Sequence, residues 1–93
     1  MKNLQKIKDW LLNSESDKVI EATEKHIHCP SDNMTMAEIY YMRGNAFRQK
    51  GEWENAMNCY LSAIELNPES PAVEAYRTAQ QILEFYNKDY YNP

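Results

Sequence analysis

Residues 37–70 constrain this chain more than any other stretch. They read as two amphipathic helices joined at Lys50-Gly51, with small and large side chains at the offsets a packed helical hairpin needs. Gly44 and Ala56 are small where two helix axes must approach closely. Phe47, Trp53 and Tyr60 are large where the gaps between helices must be filled. Glycine at 51 can take the left-handed conformation that ends one helix and turns the chain into the next. Asn67-Pro68 stops the second helix.

The flanking segments repeat the theme with less definition. Leu4, Ile7, Leu11 and Leu12, with Trp10 beside them, have helical spacing over 3–13. Asn13-Ser14-Glu15-Ser16 interrupts it with residues that favour turns and caps. A second helix is predicted from Asp17 to about His28, burying Val19, Ile20, Thr23 and Ile27 and ending at Cys29-Pro30. Residues 31–34 read as a loop. Thr35 with Glu38 three residues later reads as a capping box that starts the third helix, with the stripe Ala37, Tyr40, Tyr41, Gly44 and Phe47. A fourth helix over about Glu52–Leu66 is expected to bury Trp53, Ala56, Met57, Tyr60, Ala63 and Ile64. Ser70-Pro71 then supplies an N-cap and a first helical residue for a fifth helix. Its inward candidates are Val73, Ala75, Tyr76, Ala79, Ile82, Leu83 and Tyr86, and an irregular tail is expected over 87–93.

Within residues 37–70, Tyr40, Gly44, Phe47, Ala56, Tyr60, Ala63 and Pro68 resemble the tetratricopeptide (TPR) pattern W-x2-L-G-x2-Y…A-x3-F…P. Arg43 departs from it, standing where the pattern has leucine. The resemblance implies an all-α fold of antiparallel hairpins stacked as a short right-handed superhelix of about five helices. The expected organisation is a single domain over 1–93. It comprises a degenerate hairpin at 3–34, a repeat at 35–70, a capping helix at 71–86 and a tail at 87–93. A short array must shield its end faces, so Tyr86, Tyr90 and Tyr91 are expected to pack as a cap or to enter a neighbouring molecule.

The resemblance also implies a function. Helices equivalent to the third line a concave face that takes extended peptides or partner helices, which makes Glu38, Tyr41, Asn45, Arg48 and Gln49 the candidate peptide-binding residues. A side-chain amide at Asn45 can donate to and accept from a main chain. Arg48 can pair with a carboxylate or phosphate, and Tyr41 offers a flat contact. The carboxylate clamp found in some members needs asparagines and basic residues across three repeats. Only Asn45 matches, with Ile7 and Leu11 at the expected equivalents in the first helix and Ala75 and Ala79 in the last. An apolar groove fits better. The other reading is a self-assembling unit, a homodimer through apolar helix faces and the tyrosine-rich tail.

Composition narrows the remaining classes. Two glycines in 93 residues leave little scope for the tight hairpins of an all-β fold. A formal net charge of −4 argues against a general nucleic-acid binder. Lys6, Lys8 and Asp9 break up any apolar signal core, and no stretch reaches the ~20 apolar residues of a membrane span. Cys29 and Cys59 are expected to stay reduced thiols, which points to the cytoplasm. His26, His28 and Cys29 cluster in sequence, but residues two apart on a helix face different ways, so no metal or other cofactor is expected. Lys2, Lys6 and Lys8 read as a solvated basic face. No nucleophile, P-loop or dinucleotide fingerprint is present, and no catalytic residue is expected.

Overall fold

The computed structural model describes the backbone of residues 2–29 and 32–91 and the side chains of residues 4–29 and 32–85. Five helices follow in order among the described residues: α1 Lys2–Leu12, α2 Ser16–Ile27, α3 Asn33–Gln49, α4 Trp53–Leu66 and α5 Ala72–Tyr91. There are no strands among them. The fold is all-α, a TPR-like stack in which α1–α2 and α3–α4 are antiparallel hairpins. α5 packs on the second hairpin.

Both hairpins turn by the same device. Gly51, at φ 77°, donates its N–H to Arg48 O at 2.9 Å, and Glu52 donates to Phe47 O at 2.9 Å. Ser14, at φ 59°, donates to Leu11 O at 3.1 Å, and Glu15 donates to Trp10 O at 2.8 Å. These paired bonds satisfy the last carbonyls of α1 and α3 with a left-handed residue just past each helix. The two turns stand 37 residues apart, and that spacing gives the structural register between the hairpins.

Several helix limits differ from the sequence expectation. The N-cap of α3 is Asp32, not Thr35. Its carboxylate accepts from the Thr35 backbone N–H at 2.9 Å and from the Thr35 hydroxyl at 3.0 Å. These bonds hold the Asp32 carboxyl below the usual carboxylate range. The helix therefore begins at Asn33 inside the expected loop, because a carboxylate accepts both bonds better than a hydroxyl could. α2 ends at Ile27, just before the expected limit. At the other end, α5 continues to Tyr91 where an irregular tail was expected. Ser70 does cap it, its hydroxyl accepting from Ala72 N–H at 3.1 Å, with Pro71 next in line. The packing expected of the Tyr86, Tyr90 and Tyr91 side chains lies outside the described residues.

α3 is the centre of the stack because it carries apolar residues on two sides. Ile39, Met42 and Ala46 join Ile7 and Val19 in one core. Tyr40, Tyr41 and Phe47 pack on a second, made by Ala56, Tyr60, Ala63 and Ala72. The stripe expected for α3 describes only the second side. A helix buried on two faces has little one-sided apolar pattern to read.

The second core is built on close approach. A Cβ placed on Gly44 would sit 2.5 Å from Cε1 of Tyr60, so glycine is what admits the fully buried Tyr60 ring between α3 and α4. The two hairpins meet differently. The Arg43 guanidinium donates to Ile20 O at 2.8 Å and to the Thr23 hydroxyl at 3.0 Å, pairs with Glu24 at 2.7 Å, and stacks on Phe47 at 5.3 Å. A leucine there, as in the family pattern, could make none of the polar contacts.

Candidate functional site

The five candidate residues all stand on α3, and its packing divides them into three groups. Glu38 and Tyr41 border a groove of about 310 Å³ between the first half of α3 and the α4–α5 link. Met34 and Ala37 line one wall; Asn67, Ser70 and Pro71 line the other. Glu38 pairs loosely with Lys8 at 3.4 Å, both side chains being exposed, so the pair can open for a ligand.

Asn45 meets the Tyr60 hydroxyl, and the Arg48 charge is felt by the same phenol. The hydroxyl donates to Asn45 Oδ1 at 2.6 Å. The Tyr41 ring lies 6.1 Å from the Tyr60 ring, tilted by 42°. Burial pushes the Tyr60 phenol up to about 12, with the Arg48 charge pulling it the other way. Tyr60 is the site residue that sequence reasoning counted only as core. The signal was present: a tyrosine stands where the family pattern has phenylalanine, and a buried phenol needs a hydrogen-bond partner. Because the Asn45 carbonyl oxygen accepts from Tyr60, its NH2 is the end of the amide left for another partner.

Gln49 is placed differently. Its Oε1 accepts from the Ser16 hydroxyl at 2.6 Å and its Nε2 donates to Leu11 O at 3.0 Å. Both ends of the amide are engaged in clasping the α1–α2 turn, beside the Lys50–Asp17 pair at 2.6 Å. Its place at the last turn of α3, over that turn, makes it a brace for the first hairpin.

The register also corrects the comparison made for a carboxylate clamp. With a spacing of 37, Tyr41 and Asn45 correspond to Leu4 and Lys8 in α1, not to Ile7 and Leu11. Ile7 is 1% exposed and belongs to the core. Neither Leu4 nor Lys8 supplies a second amide, so a clamp of that kind still has one asparagine.

The two histidines are held apart. His28 is exposed and lies 3.4 Å from Glu24, while His26 is half-buried beside α1. Of the thiols, Cys29 is exposed and Cys59 is buried; burial pushes the Cys59 thiol up. No described helix is long and apolar enough to cross a membrane.

A family model described as TPR repeat matches residues 44–73. Among solved structures, the chain is similar to the solution NMR structure of Bacteroides fragilis protein BF1650. The two share 41% sequence identity with a TM-score of 0.85, over 99% of this chain and 91% of that one. No curated protein matches it.

Proposed function

Because the chain belongs to the tetratricopeptide repeat family, we propose that it is a non-catalytic, cytoplasmic interaction module that takes a peptide or partner helix on its α3 face. The observation that carries this reading is the hydrogen bond that ties Asn45 to the Tyr60 hydroxyl, beside the Tyr41 ring and next to the groove edged by Glu38. A buried tyrosine orients the Asn45 amide, and a fixed amide loses little freedom when a ligand binds. Tyr41 supplies apolar contact area. Arg48 supplies charge for a carboxylate or phosphate, and Glu38 can receive a basic group in place of Lys8. Gln49 serves this face indirectly by anchoring the end of α3.

The test compares wild type with a Tyr41→Ala, Asn45→Ala, Arg48→Glu variant as baits in host lysate, after circular dichroism shows the two equally folded. The expected result is a protein retained by wild type and lost by the variant. Recovery of the same proteins by both baits would remove these residues from the binding face. Recovery of the chain alone would favour self-assembly instead.

A further inference from the structure

We propose a second binding site: the cleft between α1 and α2, on the side of the first hairpin turned away from α3, takes an acidic amphipathic helix from another protein. The cleft measures about 510 Å³, within the range of ligand-binding pockets. Trp10 and Ala22 give it an apolar floor with the buried Ile7 beneath, and Lys6, Lys18 and Lys25 stand around it against the single carboxylate of Glu21. On α2 the lining residues 18, 22 and 25 form one stripe. Ile20, Thr23 and Glu24, which Arg43 grips, form the opposite one.

The molecule itself shows what such a cleft accepts. Shifting by 37 residues maps Lys6, Ile7, Trp10 and Ala22 onto Arg43, Gly44, Phe47 and Cys59. The cation–ring pair repeats with the shift: Lys6 lies 5.7 Å from the Trp10 ring and Arg43 lies 5.3 Å from the Phe47 ring. In the second hairpin that position is occupied. α2 lies against it, and Arg43 holds the Glu24 carboxylate at 2.7 Å. Lys6 stands where a carboxylate on a helix docked in the first cleft would be held in the same way.

The charges point to the same occupant. Among the residues lining the cleft three lysines face one carboxylate, and Asp9, the counterpart of Ala46, adds a second on the docking face, so the balance stays positive in a chain whose net charge is −4. Lys18 and Lys25 are engaged only in exposed pairs, with Glu15 at 2.7 Å and Glu21 at 3.9 Å, which a ligand carboxylate can replace. Two helical turns separate them, roughly 10 Å. The matching ligand carries carboxylates at i and i+7 with apolar residues between. Gln5 and Asp9 correspond to Met42 and Ala46, so the apolar floor is narrower than the one α2 covers in the second hairpin. A helix with a narrow apolar stripe and acidic flanks fits it. A flat anionic bilayer would meet the lysine tips but not Trp10 on the floor.

The chain has tryptophan only at 10 and 53, so Trp53→Phe makes Trp10 the sole indole reporter. The probe is a synthetic helical peptide with glutamates at i and i+7 around a leucine–phenylalanine pair. Its counterpart has lysines in place of the glutamates. Binding is expected to shift Trp10 emission saturably and to weaken as salt rises. It should weaken about tenfold or more in Lys6→Glu, Lys18→Glu, Lys25→Glu, and stay unchanged in Tyr41→Ala, Asn45→Ala, so that failure here is separable from failure of the α3 face. If the triple reversal fails to fold, Lys18→Gln, Lys25→Gln carries the same comparison with a smaller loss. Equal binding of the lysine peptide, equal affinity in the charge variants, or no Trp10 response to millimolar peptide would overturn the proposal. So would a Trp10 shift produced by phosphatidylserine vesicles and not by the peptide. A shift that grows with protein concentration alone would assign the cleft to a second copy.

Discussion

The two hairpins share a turn and differ in what fills it. Ser14 and Gly51 end α1 and α3 with the same pair of backbone bonds, and Glu15 and Glu52 begin α2 and α4. Between those helices, however, the large and small residues trade places. Gly44 faces the buried Tyr60 ring in the second hairpin, whereas the corresponding places in the first hold Ile7 and Thr23. Ile7 and Thr23 are buried to within about a percent, so the exchange leaves a closed core in both. The family pattern thus describes one way of filling a hairpin, and total volume with a competent turn is the more general requirement.

The exchange predicts the largest mutational effects. Tyr60→Thr alone is expected to cost about 3–5 kcal/mol in denaturant unfolding, through the cavity left between α3 and α4. Gly44→Ile alone is also expected to be severe, because even a Cβ would strike the Tyr60 ring. Combined, the two reproduce the Ile7–Thr23 arrangement and should recover at least about 1 kcal/mol relative to the sum of the singles. Strict additivity would break the comparison. Gly44→Ala should lose stability by roughly 1–3 kcal/mol from overpacking, outweighing the ~1 kcal/mol that alanine gains in helix propensity.

The turns predict smaller effects of opposite sign. Ser14→Gly should stabilise by about 1 kcal/mol, since serine at φ 59° bears the left-handed strain that glycine does not. Gly51→Ala should destabilise by about as much, through the backbone alone, because nothing lies within 4 Å of its Cβ position. Thermal melts of both variants check the pair.

Alkaline titration gives a difference confined to the second hairpin. The Tyr60 phenol is raised to about 12, so folding favours its neutral form. That contribution is complete below the ordinary tyrosine value near 10 and is lost as pH rises from there towards 12. Absorbance at phenolate wavelengths should show a late ionising step towards pH 12, and Tyr60→Phe should remove it. Thr23, in the corresponding place of the first hairpin, contributes nothing in this range.

The second hairpin was legible in the sequence because its signature depends on spacing: Gly44, Ala56, Tyr60 and Ala63 must lie at those offsets for two helices to touch. The first hairpin was legible only as helical periodicity. Ile7 hides the glycine position and Thr23 the aromatic one, so a 34-residue repeat assigned the wrong equivalents in α1. The structural spacing of 37 is carried by backbone bonds at Ser14 and Gly51, which side-chain patterns record weakly. The candidate site was legible in position, since all five residues stand on α3. Their partners were not. Asn45 and Gln49 are both amides on one helix, and only the packing of α4 and of the α1–α2 turn decides that one faces Tyr60 and the other Ser16 and Leu11. Arg43 shows the same limit: it looked like a flaw in the pattern and is the polar arm that joins the hairpins.

The comparison stands or falls on that arm. If fit holds α3 to α4 and Arg43 holds α2 to α3, then Arg43→Leu, which restores the family residue, should loosen one hairpin selectively. Native-state hydrogen exchange measures this directly. The expected result is a loss of protection in α2 amides of about 1–3 kcal/mol, the value of hydrogen bonds to a charged group, with α4 amides nearly unchanged. Equal losses in α2 and α4, or no loss in either, would contradict the account.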